Sequence, residues 1–178
     1  MANTYLQRLI GAAALDAAIY EEVEADQSAT IQACATVLIS SLAAGIGSRG
    51  FEGNTAGNIA LTSTVALLAW AAWALVTYGV GVRILPQPQT SSNVGELLRT
   101  TGFATAPGCL RALGVLPGVT IPVFAVTAVW MLAAMVVAVR QALDYESTAR
   151  AVAVCVIGWA LAIVIAIVLG LTFGPSLS

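Results

Sequence analysis

The sequence contains no lysine and no histidine, and only 9% of its 178 residues carry a charge. A soluble domain carries about 25% charged residues, so a deficit this deep points to a chain solvated by lipid. Without lysine there is no Walker-type phosphate lysine and no Schiff base. Without histidine there is no Ser-His-Asp triad, no zincin site and no imidazole-ligated haem or chlorophyll. Seven arginines against nine acids give a net charge of −2, which leaves no basic surface for a nucleic-acid backbone and excludes nucleic acid as a partner. Cysteine is scarce as well. Cys34, Cys109 and Cys155 lie far apart with no C-x-x-C or metal-type spacing, so they read as small buried hydrophobes. Only Cys109 has a cation nearby, Arg111. No metal, cofactor or catalytic residue is expected.

What the chain has is apolar length: 59% of it is hydrophobic, and residues 27–48, 53–82, 112–139 and 151–178 carry no charge. Each run holds the roughly 20 apolar residues that a membrane-crossing helix needs, whereas a membrane β-barrel shows strands of about 10 alternating residues. The fold class is therefore all-α, a polytopic helical membrane bundle. It divides into an amphipathic and acidic N-terminal segment, 1–27, expected in the cytoplasm, and one transmembrane domain, 28–178. In residues 3–14, Leu6, Leu9, Ile10 and Ala13 recur at helical spacing. This helix is too short to span and is expected along the interface, its apolar face in the headgroup boundary and Gln7 and Arg8 on the wet side. It runs straight into Glu21, Glu22, Glu24 and Asp26, which is not the pattern of a cleavable signal peptide. That acidic stretch is either a solvated face or a docking surface for a basic partner.

The first span is expected at about 28–47. Gly45-Ile46-Gly47-Ser48-Arg49-Gly50 at its end matches G-x-G-x-x-G, but a membrane helix precedes it and Trp70 stands where a dinucleotide site needs an acid, so the glycines read as a helix stop. The loop from Ser48 to Asn58 makes the first two spans antiparallel. The second span, 59–82, carries Trp70 and Trp73 mid-span, which implies packing against protein. Pro86 and Pro88 then punctuate a turn before a helix opening at Asn93, with Glu96 near its N-terminus. Residues 102–117 are short, broken by Pro107 and charged at Arg111. If this segment does not cross, the arginines divide with no bias. If it does, Arg8, Arg83, Arg99, Arg140 and Arg150 share the N-terminal side, Arg49 alone lies opposite and Arg111 is within the membrane. The positive-inside rule prefers that arrangement, giving five spans, the third short and kinked, with a cytoplasmic N-terminus. The last two spans follow at 119–139 and 151–173. The connection between them offers the i,i+4 ion pairs Arg140–Asp144 and Glu146–Arg150.

Three blocks, YEEVEADQSATIQA (Tyr20 to Ala33), ELLRTTGFATAPG (Glu96 to Gly108) and WMLAAMVVAVRQALDYESTARA (Trp130 to Ala151), together resemble the Yip1 family of small multi-span membrane proteins in its bacterial form. The resemblance implies a five-helix integral membrane domain with a cytoplasmic N-terminus. The family's eukaryotic members associate with vesicle membranes and bind small Rab-type GTPases through longer N-terminal regions, an activity the resemblance does not extend to this chain. It brings no catalytic residues.

The residue singled out beyond packing is Arg111, because an arginine within a span costs roughly 2.5–3.5 kcal/mol unless it pairs or reaches water. Its candidate partners are the carbonyls around Pro107, Asp16 or Glu24, and an anionic lipid headgroup. It could simply snorkel to the interface, hold an anion or lipid, or lock the bundle by an ion pair. Arg111, Pro107, Asp144 and Glu24 make up the candidate interaction or lipid site. The leading function is a non-enzymatic scaffold, interaction or accessory subunit of the bacterial inner membrane, one class being subunits beside photosynthetic or respiratory complexes. Its partners would be membrane lipids and other membrane proteins or further copies of itself. The alternatives are a small transporter or lipid-handling protein that uses the broken third span, and a membrane enzyme built around Cys109 or a carboxylate beside Arg111.

Overall fold

A computed structural model describes residues 3–49, 56–90 and 92–173, and among them the chain forms seven α-helices and no strand. Two short helices, α1 (Tyr5–Ala13) and α2 (Ala17–Ala25), precede α3 (Ala29–Arg49) and α4 (Ala56–Tyr78). After α4 the chain widens into a π-helical turn, Gly79–Ile84, then reaches α5 (Val94–Phe103) and a 3-10 segment, Ala106–Val115. Helices α6 (Thr120–Ala142) and α7 (Thr148–Phe173) close the bundle. Among the described residues, three helical stretches are long and apolar enough to cross a membrane: Ala29–Ser48, Ser63–Ile84 and Thr120–Ala142. α7 has 26 residues, of which Thr148–Leu161 form a described apolar stretch.

The third apolar segment is built differently. α5 opens on the capping box that Asn93 and Glu96 form: the Asn93 side chain accepts from the Glu96 backbone N–H, and Glu96 accepts from the Asn93 backbone N–H. Its threonines are made compatible with an apolar setting by bonding backward, Thr100 to the Glu96 carbonyl and Thr101 to that of Leu97. The helix stops at Phe103, and Pro107, which has no N–H to donate, stands at the start of the 3-10 run. From there the segment tracks α3. Gly102 lies against Ala33, Gly108 against Ser40 and Gly114 against Gly47, so both chains run the same way. Fourteen α-helical steps from Ala33 to Gly47 advance about 21 Å. The twelve steps from Gly102 to Gly114 keep pace because a 3-10 turn rises about 2.0 Å per residue. Glycine is required at Gly47, where a Cβ would collide with the Arg111 carbonyl. α3 ends within the Gly45–Gly50 run, at Arg49, two residues beyond the expected span end, and Gly47 has the further role of permitting close approach. Most of the Ser48–Asn58 loop lies outside the described residues.

α6 runs opposite to α3, since Phe124 meets Gly47 and Gly114 while Met131 meets Gly108. α4 is likewise antiparallel: Trp70 donates to Thr101, and Tyr145, beyond the end of α6, places its hydroxyl 2.9 Å from the Gly81 carbonyl and 2.7 Å from that of Leu85. Those carbonyls lie within and just after the π-helical stretch, where the regular ladder is interrupted. Small residues fill the interior, with Ala29, Ala33, Ala74, Ala134 and Ala138 buried, and large ones face outward, Leu61, Leu68, Val129 and Ile121 among them. Apolar all round, with its bulk outside, is the pattern of helices packed through small residues and solvated by acyl chains.

α1 and α2 are too short to be stable alone, and the bundle caps them. Trp130 donates to the Ala13 carbonyl at 2.6 Å and Tyr20 to that of Ala12 at 3.1 Å, satisfying the last turn of α1. Leu15 turns the corner at φ 63°, a left-handed conformation costing roughly 1–2 kcal/mol for a residue with a Cβ, offset here by packing its side chain on the core cluster. Of the two residues expected on the wet side of α1, Gln7 is exposed but Arg8 is not. Arg8 is 2% exposed and points into the fold, while Leu6 and Ile10 are exposed beside Gln7. Periodicity places Arg8 away from the apolar stripe, but its charge is matched by acids of the next helix, and pairing decides its direction. The two expected i,i+4 ion pairs are also absent among the described residues. α6 ends at Ala142 and Asp144 takes φ 52°, so Arg140 donates to the Tyr145 carbonyl instead; α7 begins only at Thr148, and Arg150 donates to the Pro86 carbonyl.

Candidate functional sites

The four residues singled out from the sequence do not form one site. Glu24 and Asp144 come together at the end of the bundle where α3 begins, lining a cleft of about 270 Å³ with Glu21, Arg140, Gln141 and Glu146. Arg111 lies at the other end, beside Gly47 and Phe124, and Pro107 is buried between them at the start of the 3-10 run.

The first cluster is organised by Arg99, 7% exposed, whose guanidinium donates to the backbone carbonyls of Val23 and Glu24 and so caps the last turn of α2. The Glu24 carboxyl is pushed up to about 7 by burial and by the charges of Glu96 and Asp144, Arg99 opposing and Glu21 adding to the rise. Gln141 donates to Glu21 at 2.8 Å, tying the end of α6 to α2. A carboxyl with a raised value prefers its proton while docked, and undocked it returns to its ordinary 4.5. The proton's contribution to docking is thus complete below about 4.5 and is lost as pH rises through about 7. Hydrogen exchange of the α2 amides, corrected for intrinsic rate, should therefore be faster at about pH 8 than at about pH 5.5. Glu24→Gln should remove the difference; exchange that is equal at both pH values in the wild type would contradict this.

Arg111 has no carboxylate within salt-bridge distance among the described residues. Its Nε donates to Thr127 Oγ1 at 3.2 Å and its guanidinium carbon stands 5.4 Å from the centre of the Phe124 ring. Asp16, one expected partner, instead caps α2 by accepting from the Ala18 N–H, and Glu24 stands near Arg99 at the opposite end.

Three contributors escaped the sequence reading. Arg8 binds Glu22, Asp26 and Gln32 at 2.8, 2.7 and 3.0 Å, and the signal was present: it is the only base among the acids of residues 1–27. Arg99 and Thr127 had no comparable signature.

All five arginines assigned to the N-terminal side, Arg8, Arg83, Arg99, Arg140 and Arg150, sit on elements at the α3-start end, and Arg111 sits at the other. A seven-helix chain without strands among its described residues, with an acidic N-terminal layer on an apolar bundle, also agrees with the family resemblance, and the comparison with family models decides it: the Yip1 domain matches residues 16–169. The chain belongs to the Yip1 domain family. No curated protein and no solved structure matches it. As a Yip1 domain with three described helices able to cross a bilayer, it is an integral membrane protein. The match begins at Asp16, so α2 and its Glu24 cluster lie inside the Yip1 domain and α1 precedes it.

Proposed function

We propose that this Yip1-domain protein is a non-enzymatic scaffold or accessory subunit of a bacterial inner membrane, crossing it five times with its N-terminus in the cytoplasm. It works by contact with lipids and with neighbouring membrane proteins or further copies of itself, in membrane organisation or within a larger complex such as a photosynthetic or respiratory one. The observation that carries the contact reading is the outer surface of α6 and α7. Leu132, Val136, Val152, Val156 and Trp159 line a wholly apolar groove of about 510 Å³, with Trp159 half exposed at its edge. A groove between two helices offers a ridge-shaped space to a third, and an indole is a large rigid anchor for it. Arg8, Arg99, Tyr20, Trp130 and Tyr145 spend their polar groups on holding elements together. The crossing count is supported by the course of residues 102–114 along α3 and by the gathering of arginines at one end.

Two measurements test this. After extraction in mild detergent, a protein partner or a second copy should co-purify in fixed stoichiometry. Val156→Trp, which fills the groove from its exposed side, should release it without changing the melting temperature. A chain that purifies as a bare monomer, or that turns over a defined substrate, contradicts the proposal. Reporters at the two chain ends should emerge on opposite faces of the membrane, and ends on one face would refute an odd number of crossings.

A further inference from the structure

Arg111 and the surface beside it have a chemistry that the scaffold reading does not use. Leu110, Leu113, Pro122, Val123 and Val126 line an apolar groove of about 380 Å³ between the 3-10 segment and the start of α6, and Thr127 closes it. The same Thr127 accepts the hydrogen bond from Arg111 Nε. That bond, together with the Phe124 ring, fixes the guanidinium plane, while Nη1 and Nη2 make no hydrogen bond to any described residue. Thr127 lies seven residues into α6, about 10 Å along the helix. The groove runs from Thr127 toward the start of α6, so the guanidinium stands at its deeper end.

We propose that this end of the bundle holds one phospholipid, its phosphate accepting hydrogen bonds from the terminal nitrogens of Arg111 and one acyl chain lying in the groove beside it. The occupant follows from complementarity. The site pairs a cation that meets no described carboxylate with a wholly hydrocarbon trough, in a surface solvated by lipid. A phosphodiester on a diacyl chain matches both halves: its two free oxygens fit the planar fork of arginine, and its tail fits the groove. A soluble anion would leave the groove unfilled, and a neutral lipid would leave the guanidinium unpaired. The 3-10 geometry is what assembles the two halves, because it brings Leu110, Arg111 and Leu113 against α6 within one short run.

The test is native mass spectrometry of the full chain in mild detergent with phosphatidylglycerol, diacylglycerol or inorganic phosphate added. One phosphatidylglycerol should stay bound to the wild type, with diacylglycerol retained at least roughly tenfold less and inorganic phosphate failing to displace the lipid. Arg111→Gln should lower phosphatidylglycerol retention by a similar factor, and Arg111→Lys should fall between. Val126 is 61% exposed, so Val126→Trp occupies the groove without entering the core and should also release the lipid while the melting temperature holds. Unchanged retention in either Arg111→Gln or Val126→Trp overturns the proposal. So does diacylglycerol binding as well as phosphatidylglycerol, or displacement by inorganic phosphate.

Discussion

Gly47→Leu is expected to destabilise the bundle by about 3 kcal/mol, near the upper end for overpacking. The magnitude follows from what stands in the way. A Cβ at Gly47 would meet the carbonyl oxygen of Arg111, with the carbonyl carbon 2.9 Å and a Phe124 ring carbon 3.1 Å away. A flexible side chain could swing aside, but a backbone carbonyl can yield only if the 3-10 segment moves as a body away from α3. That segment is held along its length by Gly102 on Ala33 and by Gly108 on Ser40, so the clash propagates instead of relaxing locally. The thermal midpoint in detergent should drop sharply, and labels placed on α3 and the 3-10 segment should move apart. Gly79→Ala is the matched control, since nothing lies within 4 Å of a Cβ there, and it should change stability by less than about 0.5 kcal/mol. A Gly47→Leu protein that melts like the wild type would mean that the seam between α3 and residues 102–114 is looser than described.

The same seam shows what could and could not be read in advance. The break at Pro107 was legible because a missing N–H is a local property, and so was the helix opening at Asn93 with Glu96 near its N-terminus. The apolar runs were legible because bilayer thickness sets their length. The role of Gly47 was not, because a glycine that ends a helix and one that admits a neighbour look alike until the neighbour is known. Likewise, i,i+4 arithmetic assumes that the helix continues. Arg140 and Asp144 satisfy the spacing, yet the left-handed turn at Asp144 takes its carboxylate off the helical path. Arg111 was identified as costly in a span without its partners being identifiable, since Thr127 and Phe124 are ordinary residues of another helix, brought near only by the antiparallel course of α6.

Replacing Arg8 by glutamine is expected to cost about 2–3 kcal/mol and to release α1 and α2 from the bundle together. Removing one partner of a fully buried ion pair costs about 3–5 kcal/mol, because the remaining charge stays desolvated. Here Glu22 and Asp26 are 27% and 32% exposed, so water meets part of the loss and the figure falls below that range. The geometry explains why no other residue substitutes. The guanidinium donates from Nε and Nη2 to Glu22, from Nη2 to Asp26 and from Nη1 to Gln32, joining α1 to both ends of the α2–α3 connection. Arg8→Lys keeps the charge but offers one compact ammonium to three acceptors and should recover less than half of the loss. The cluster also sets its own pH range. Asp26 is held down to about 2, first by its hydrogen bonds from Ser28 and then by Arg8, and Glu22 is lowered by its bonds to Arg8 and Asn3, which outweigh its burial. Groups with depressed values stabilise the docked state above their ordinary values, 3.8 and 4.5, and lose that contribution as pH falls, for Asp26 through about 2. The melting difference between wild type and Arg8→Gln should therefore be full at neutral pH and shrink as both carboxylates take up protons. A difference that persists undiminished in acid would assign the role of Arg8 to packing of its aliphatic stem instead of its charge.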